Sequence, residues 1–329
     1  MNYRTLGKTG FKVSEISLGA WQIGGKWGEP FDDAVAERTI NAAIDAGVTF
    51  IDTADVYEGG RSERAVARVV KSRPEEVRVA TKVGRRFSPH VSQSYTPDGI
   101  VGFVDDSLRN MGVDALDLVQ LHCPPTEVYY RPEIFGTLDR LVEAGKLLHY
   151  GVSVEKVEEA IKASEYPGVA SVQIIFNMFR LRPADLLFGL LRQRQVGIIV
   201  RVPLASGLLS GKMSRGTSFG AQDHRTFNRN GEAFDKGETF GGVDFETGLG
   251  AVEELKDIFR DANASLAQIA LRWILMHEAV SCVIPGASRA EQASENVSAA
   301  ALPPLSEEQM AAARSVYERR IKPLVHQRW

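Results

Sequence analysis

The chain has 329 residues, 44% of them hydrophobic and 25% charged, enough to bury a large core as two domains or one barrel and unlike disordered or fibrous sequences. A net charge of -3 and a pI near 6.1 provide no global attraction to nucleic acid or to an anionic membrane. The N-terminus has no apolar signal region and no stretch approaches the ~20 apolar residues of a membrane span, so the expectation is a cytoplasmic protein, a monomer or weak homo-oligomer, with neither nucleic acid nor membrane as partner.

Residues 3–13 come first and stand outside any repeat; Lys8-Thr9-Gly10 within them suggests a β-hairpin turn. Short β-branched runs then follow at 15–18, 48–51, 77–81, 116–121, 149–153, 171–174, 197–202 and 280–284. They alternate with amphipathic stretches at 33–46, 62–70, 97–110, 132–144, 154–165, 183–194, 266–276 and 290–299, the pattern of βα units around a parallel sheet. Pro97, Pro132 and Pro183 stand where first helical turns begin, and Gly47, Gly112 and Gly145 where helices stop. An open sheet this wide would leave two apolar edges, so eight strands with eight helices favour an α/β fold closed as a (β/α)8 TIM barrel.

The stretch 206–250 has no sustained period and reads as a long functional loop, with a short helix at 252–259. A last amphipathic stretch, 306–319, adds a C-terminal helix. No linker-like composition divides the chain, so 1–329 reads as a single domain. Cys123 and Cys282 lie in or beside apolar runs without CxxC spacing and read as reduced core thiols, and no metal cluster is expected.

Three of the strand-like runs end on residues suited to proton chemistry: Asp52, Lys82 and His122, with Tyr57 five positions past Asp52. In a barrel the loops after the strands gather at one face, so the four side chains converge there. A phenol with a pKa near ~10 needs a neighbouring cation to act as an acid at neutral pH. Lys82 supplies that cation, and Asp52 can hold the ammonium in place. A neutral His122 can donate a hydrogen bond to a carbonyl oxygen and orient it toward Tyr57. The set fits addition of hydride to a carbonyl and lacks an acyl-transfer nucleophile.

Gly47-Val48-Thr49-Phe50-Ile51-Asp52-Thr53-Ala54-Asp55-Val56-Tyr57 resembles the signature of the aldo-keto reductase superfamily, as does Leu118-Val119-Gln120-Leu121-His122. The resemblance runs over essentially the whole chain. It implies NADPH-dependent, reversible reduction of a small-molecule aldehyde or ketone, with Tyr57 as general acid, Lys82 and Asp52 as its partners, and His122 orienting the carbonyl. Two alternatives remain open: an NADPH-binding regulatory or redox-sensing barrel subunit with slow turnover, and a non-redox barrel isomerase or lyase.

A hydride donor needs a seat, and no G-x-G-x-x-G follows a predicted strand, so a Rossmann site is unsupported. Residues 206–212 superficially resemble a P-loop, but the glycine spacing is short and Met213 replaces Ser/Thr. The resembling family places the pyrophosphate on the turn after the seventh strand, here Pro203, Leu204, Ala205, Ser206, Gly207, Leu209, Gly211 and Lys212; its backbone amides suit that group. Ser288 and Arg289, after Gly286, stand at a helix N-terminus and suit the phosphate monoester that distinguishes NADPH from NADH. By the resemblance, Gln292, Glu295 and Asn296 face the adenine end, Ser153 and Gln173 hold the carboxamide, and Gly19, Ala20, Trp21 and Asp52 complete the NADPH/NADP+ contacts.

Two positions depart from the family pattern: Val154 where many members carry an amide residue, and Arg201 where many carry an aromatic that stacks on the nicotinamide. A fixed positive charge beside an oxidised, cationic ring is unfavourable. NADP+ is therefore expected to bind more weakly, relative to NADPH, than in members with the aromatic. Trp21 and Trp27 are candidate walls for the substrate pocket, with Phe87, Tyr129 and Trp329 as looser candidates.

Overall fold

The computed structural model describes residues 1–25, 28–233, 239–240 and 242–329. β1 (Tyr3–Thr5) and β2 (Lys12–Ser14) pair antiparallel, with Gly10 in the left-handed region between them (φ 71°). Leu6, on the turn, packs with Val13, Phe50, Ala80, Leu118, Ile199, Cys282 and Ile284 inside the barrel. Gly7 (φ 49°) approaches the backbone at Gly197 so closely that a Cβ there would sit 2.2 Å from the Gly197 nitrogen. The hairpin thereby closes the end of the barrel where the strands begin.

The barrel strands are β3 (Leu18–Gly19), β4 (Phe50–Asp52), β5 (Arg78–Val83), β6 (Leu116–His122), β7 (Leu147–Ser153), β8 (Val169–Ile175), β9 (Gly197–Arg201) and β10 (Cys282–Val283). Each is parallel to its neighbour in sequence order, and bridges Ile16–Val283 and Gly19–Gly286 bring the first stave back to the last. This is the (β/α)8 barrel that the alternation predicts. β8 is buried along its whole length, with Ser171 and Gln173 set among its apolar residues.

Between the staves run α1 (Asp33–Asp45), α2 (Arg61–Ser72), α3 (Pro97–Met111), α4 (Pro132–Glu143), α5 (Val157–Ala163) and α6 (Leu187–Gln193). The Asp32 carboxylate caps α1 by accepting the Ala34 and Val35 N–H groups at 2.8 and 3.0 Å. Thr96 caps α3, Pro97 opens it, and Gly112 ends it at φ 61°. α5 begins later than the apolar pattern suggests, because Glu159 accepts the N–H groups of Glu155 and Lys156 and sets the start there. Pro183 begins only a 3-10 turn, Arg182–Ala184, and α6 starts at Leu187.

The 206–250 stretch is more ordered than its composition suggests. It holds α7 (His224–Phe227) and the first turns of α8 (Phe245–Ile258), which begins well before the expected 252. Asp244 caps α8 by accepting the Thr247 N–H at 3.0 Å. Gly248 sits where a Cβ would lie 2.7 Å from Leu208 Cδ1, so any larger residue there would have to displace that side-chain end. α9 (Leu266–Leu275) and α10 (Ala290–Ser298) complete the ring, and α11 (Glu307–Val316) continues through a π-helical turn into α12 (Lys322–Val325). No helix among the described residues is long and apolar enough to cross a membrane, and none of their His, Cys, Asp and Glu groups could hold a metal ion.

Candidate active site

β4 and β6 end on Asp52 and His122, and Lys82 lies one residue before the end of β5, in register with Gln120 of β6. The Lys82 ammonium donates to Asp52 Oδ1 at 2.5 Å, to the Thr53 carbonyl at 2.9 Å and to the Tyr57 hydroxyl at 3.1 Å. All three of its protons therefore have acceptors. Burial alone would lower the Lys82 pKa, but the Asp52 carboxylate and Tyr57 reverse this and hold it above the ordinary lysine value. The lysine stays charged against the phenol.

Tyr57 is placed by a tight turn: its N–H donates to the Ala54 carbonyl at 3.1 Å, and Glu58 and Gly59 then take left-handed φ values of 50° and 58° before α2 begins. Its ring stacks on Trp21 (centroids 6.1 Å, 24°) and meets the His122 ring edge-on (6.0 Å, 84°). The four expected proton-transfer side chains thus meet at one point on the face where the strands end.

They open into a cavity of about 540 Å³. Of the expected cofactor positions, Gly19, Ala20, Trp21, Asp52, Ser153, Gln173, Arg201, Pro203, Leu204, Ser206, Gly207, Gly286 and Gln292 line it. Ala205, Leu209, Gly211, Lys212, Ser288, Arg289, Glu295 and Asn296 do not. Leu209 is fully buried in the core, and Asn296 is turned inward, donating to the Gly286 carbonyl at 3.1 Å. Ser288 Oγ is tied to Gln292 Oε1 at 3.3 Å, while Arg289 stays more than half exposed at the start of α10.

The site suits a long anionic cofactor. After β9, Val202, Ala205, Ser206 and Gly207 adopt φ values of 49°, 47°, 55° and 98°. Left-handed residues in succession form concave backbone turns of the kind that receive phosphate oxygens. Arg289 and the N-terminus of α10 stand beyond the cavity rim.

Two glutamines finish Asp52. Gln173 Nε2 donates to Asp52 Oδ2 at 2.7 Å and Gln120 Nε2 to the same oxygen at 3.1 Å. Gln120, inside the β6 motif, is a site residue that sequence reasoning passed over; a polar side chain mid-strand and two positions before His122 was the available signal. Val154 is buried, and its carbonyl accepts from Arg201 Nη2 at 3.2 Å, with Cys123 Sγ 3.5 Å from the same nitrogen.

Trp21 walls the pocket as expected. Trp27 lies outside the described residues. Phe87 packs on Tyr95 and Phe103, Tyr129 is buried and donates to the Ser153 carbonyl, and Trp329 is buried under Arg180, so none of the three lines the cavity. Gln22, Val56, Arg85, His224, Arg225 and Phe227 do line it. His224 tilts over Trp21 at 5.2 Å, and burial lowers its pKa to about 4, so its ring is neutral at neutral pH. Arg225 is clamped to Asp223 by two hydrogen bonds of 2.9 and 2.6 Å. These last groups sit on a segment with no periodicity, where sequence offers no register to aim a side chain.

A family model described as "Aldo/keto reductase family" matches residues 15–318. The chain is 29% identical over 322 residues to the oxidoreductase YqkF of Bacillus subtilis (strain 168), covering 96% of each. Among solved structures, the holo form of aldo-keto reductase AKR11C1 from Bacillus halodurans aligns over 100% of this chain and 99% of that one, with a TM-score of 0.78 and 25% identity. The glycerol dehydrogenase AKR11B4 from Gluconobacter oxydans aligns over 97% and 96%, with a TM-score of 0.78 and 29% identity.

Proposed function

The chain belongs to the aldo/keto reductase family, and from that premise we propose that it is an NADPH-dependent reductase of aldehydes and ketones with Tyr57 as its general acid. The observation that carries this reading is the Lys82 ammonium held between Asp52 Oδ1 at 2.5 Å and the Tyr57 hydroxyl at 3.1 Å. The cofactor, when bound, supplies the hydride for the carbonyl carbon. As charge develops on the carbonyl oxygen, Tyr57 gives it a proton, and the adjacent Lys82 lowers the cost of the phenolate left behind. Asp52, itself steadied by Gln120 and Gln173, keeps the ammonium charged and aimed. His122 orients the carbonyl, and the product is the alcohol. The same reading places the protein in the cytoplasm as one domain over 1–329, a monomer or weak homo-oligomer acting on a small carbonyl compound.

The direct test is consumption of NADPH with a panel of aldehydes and ketones. Tight NADPH binding with no measurable turnover on any of them would sink the reductase reading and favour a regulatory barrel. Cofactor choice is tested separately. Arg289→Ala should weaken NADPH binding about tenfold or more, the loss of a charge-assisted contact of about 1.5–3 kcal/mol, and leave NADH binding as it was. Equal weakening of both cofactors would remove Arg289 from the 2′-phosphate site.

Arg201 lines the cavity floor with its guanidinium fixed by the Val154 carbonyl. A unit charge held several ångströms from a cationic nicotinamide costs about 2 kcal/mol at an effective dielectric near ~20. NADP+ should therefore bind about thirtyfold more weakly, relative to NADPH, than it would with an aromatic at this position, and Arg201→Tyr should narrow the gap. Fluorescence titration of both forms decides it, and a ratio unchanged by the substitution would refute the assignment.

A further inference from the structure

Behind the catalytic turn lies a carboxyl that the mechanism does not use. Asp55 is two residues before Tyr57 and only 3% exposed; no side chain donates a well-formed hydrogen bond to its oxygens, and only the neighbouring Val56 N–H favours their charge from the backbone. Its own N–H donates to the Lys82 carbonyl at 3.2 Å, so its backbone is strung between the two halves of the Tyr57–Lys82 pair. Its nearest cation, Arg86 from the turn after β5, stands 3.7 Å away and is already hydrogen-bonded to Asp106 of α3 at 2.8 Å.

A buried acid with no side-chain donor is costly once ionised. The charged groups facing Asp55 sharpen that cost: Glu63 from α2 and Asp106 from α3 repel it, and Arg86 alone attracts it. Glu63 cannot turn away, since it accepts from Thr81 Oγ1 at 2.5 Å and Asn110 Nδ2 at 2.7 Å. Across the same turn lies the Asp52–Lys82 pair.

We propose that Asp55 is a positioning residue for Tyr57, one whose charge state decides whether the 52–57 turn keeps the phenol over Lys82. Neutral, it leaves the turn as seen. Ionised, it is driven away from Glu63 toward Arg86 and solvent, and it draws the turn with it, loosening the 3.1 Å contact between Tyr57 and Lys82. Burial, then Glu63, raises its pKa to about 7, which puts the change inside the working range. The inference rests on the reading of Tyr57 as general acid.

The test compares wild type with Asp55→Asn, which keeps the shape and cannot ionise. In wild type, kcat/KM with a good aldehyde should fall about tenfold between pH 6 and pH 8 through a midpoint near 7, as one ionisation in this range requires. In Asp55→Asn it should stay within about twofold over the same range. Arg86→Met keeps the packing on Phe103 but removes the attracting cation, so the midpoint should move to higher pH. Superimposable pH profiles in all three proteins would overturn the proposal.

A readout free of turnover separates this from the reductase reading. The ultraviolet titration of Tyr57, taken as wild type minus Tyr57→Phe, should shift to lower pH in the Asp55→Asn background, because the phenol stays seated on Lys82. An unchanged Tyr57 titration counts against the positioning role even if NADPH turnover is brisk. A shifted titration supports it even if no substrate is turned over.

Discussion

Tyr57→Phe should lower kcat by about 10²–10⁴, the usual contribution of a positioned general acid, and should lower kcat/KM by the same factor. Equal losses are expected because the proton leaves Tyr57 only as charge builds on the substrate oxygen, so the interaction belongs to the transition state and not to binding. The substitution is otherwise mild. Phenylalanine keeps the ring stacked on Trp21 at 6.1 Å and edge-on to His122. Lys82 retains two of its acceptors, Asp52 and the Thr53 carbonyl. NADPH affinity and melting temperature should therefore barely change. Full activity on a good substrate would mean another group protonates the alkoxide.

Lys82→Met is predicted to do two kinds of damage at once. The rate should fall at least as far as in Tyr57→Phe, since the phenol loses the charge that makes it a usable acid. Stability should fall by about 3–5 kcal/mol, because Asp52 is left buried without its cation. The two glutamine donors to Asp52 Oδ2 soften that loss but cannot neutralise the carboxylate. Adding Asp52→Asn to Lys82→Met should recover part of the stability and none of the rate. A denaturant-melt difference below about 1 kcal/mol would show that the buried pair is not what holds this part of the barrel.

The sequence made the barrel, and the meeting of four polar side chains at its mouth, legible for one physical reason. A parallel strand buried on both faces is an apolar run, and the first ionisable residue at its end marks the mouth of the barrel. Asp52, Lys82 and His122 could be read this way, and Tyr57 followed from the turn after Asp52. Gln120 and Gln173 were harder, since a buried amide mid-strand looks the same whether it supports a carboxylate or merely satisfies itself. The segment that supplies His224, Arg225 and Phe227 carries no period that would place them. Its short helix is held by Asp223 and by packing of Phe219, Phe240 and Phe245 on one another, contacts between distant positions that leave no period in the chain.

The hairpin beneath the barrel bears on the traffic through it. With Leu6 and its neighbours filling the interior at that end, the cavity is a cul-de-sac whose floor carries Ser153, Gln173 and Arg201. Two reactants that share one doorway form a queue: whichever reaches the floor enters first and departs last. Steady-state kinetics should accordingly follow a compulsory order, and the departure of the deeper occupant is the step at which turnover can be throttled.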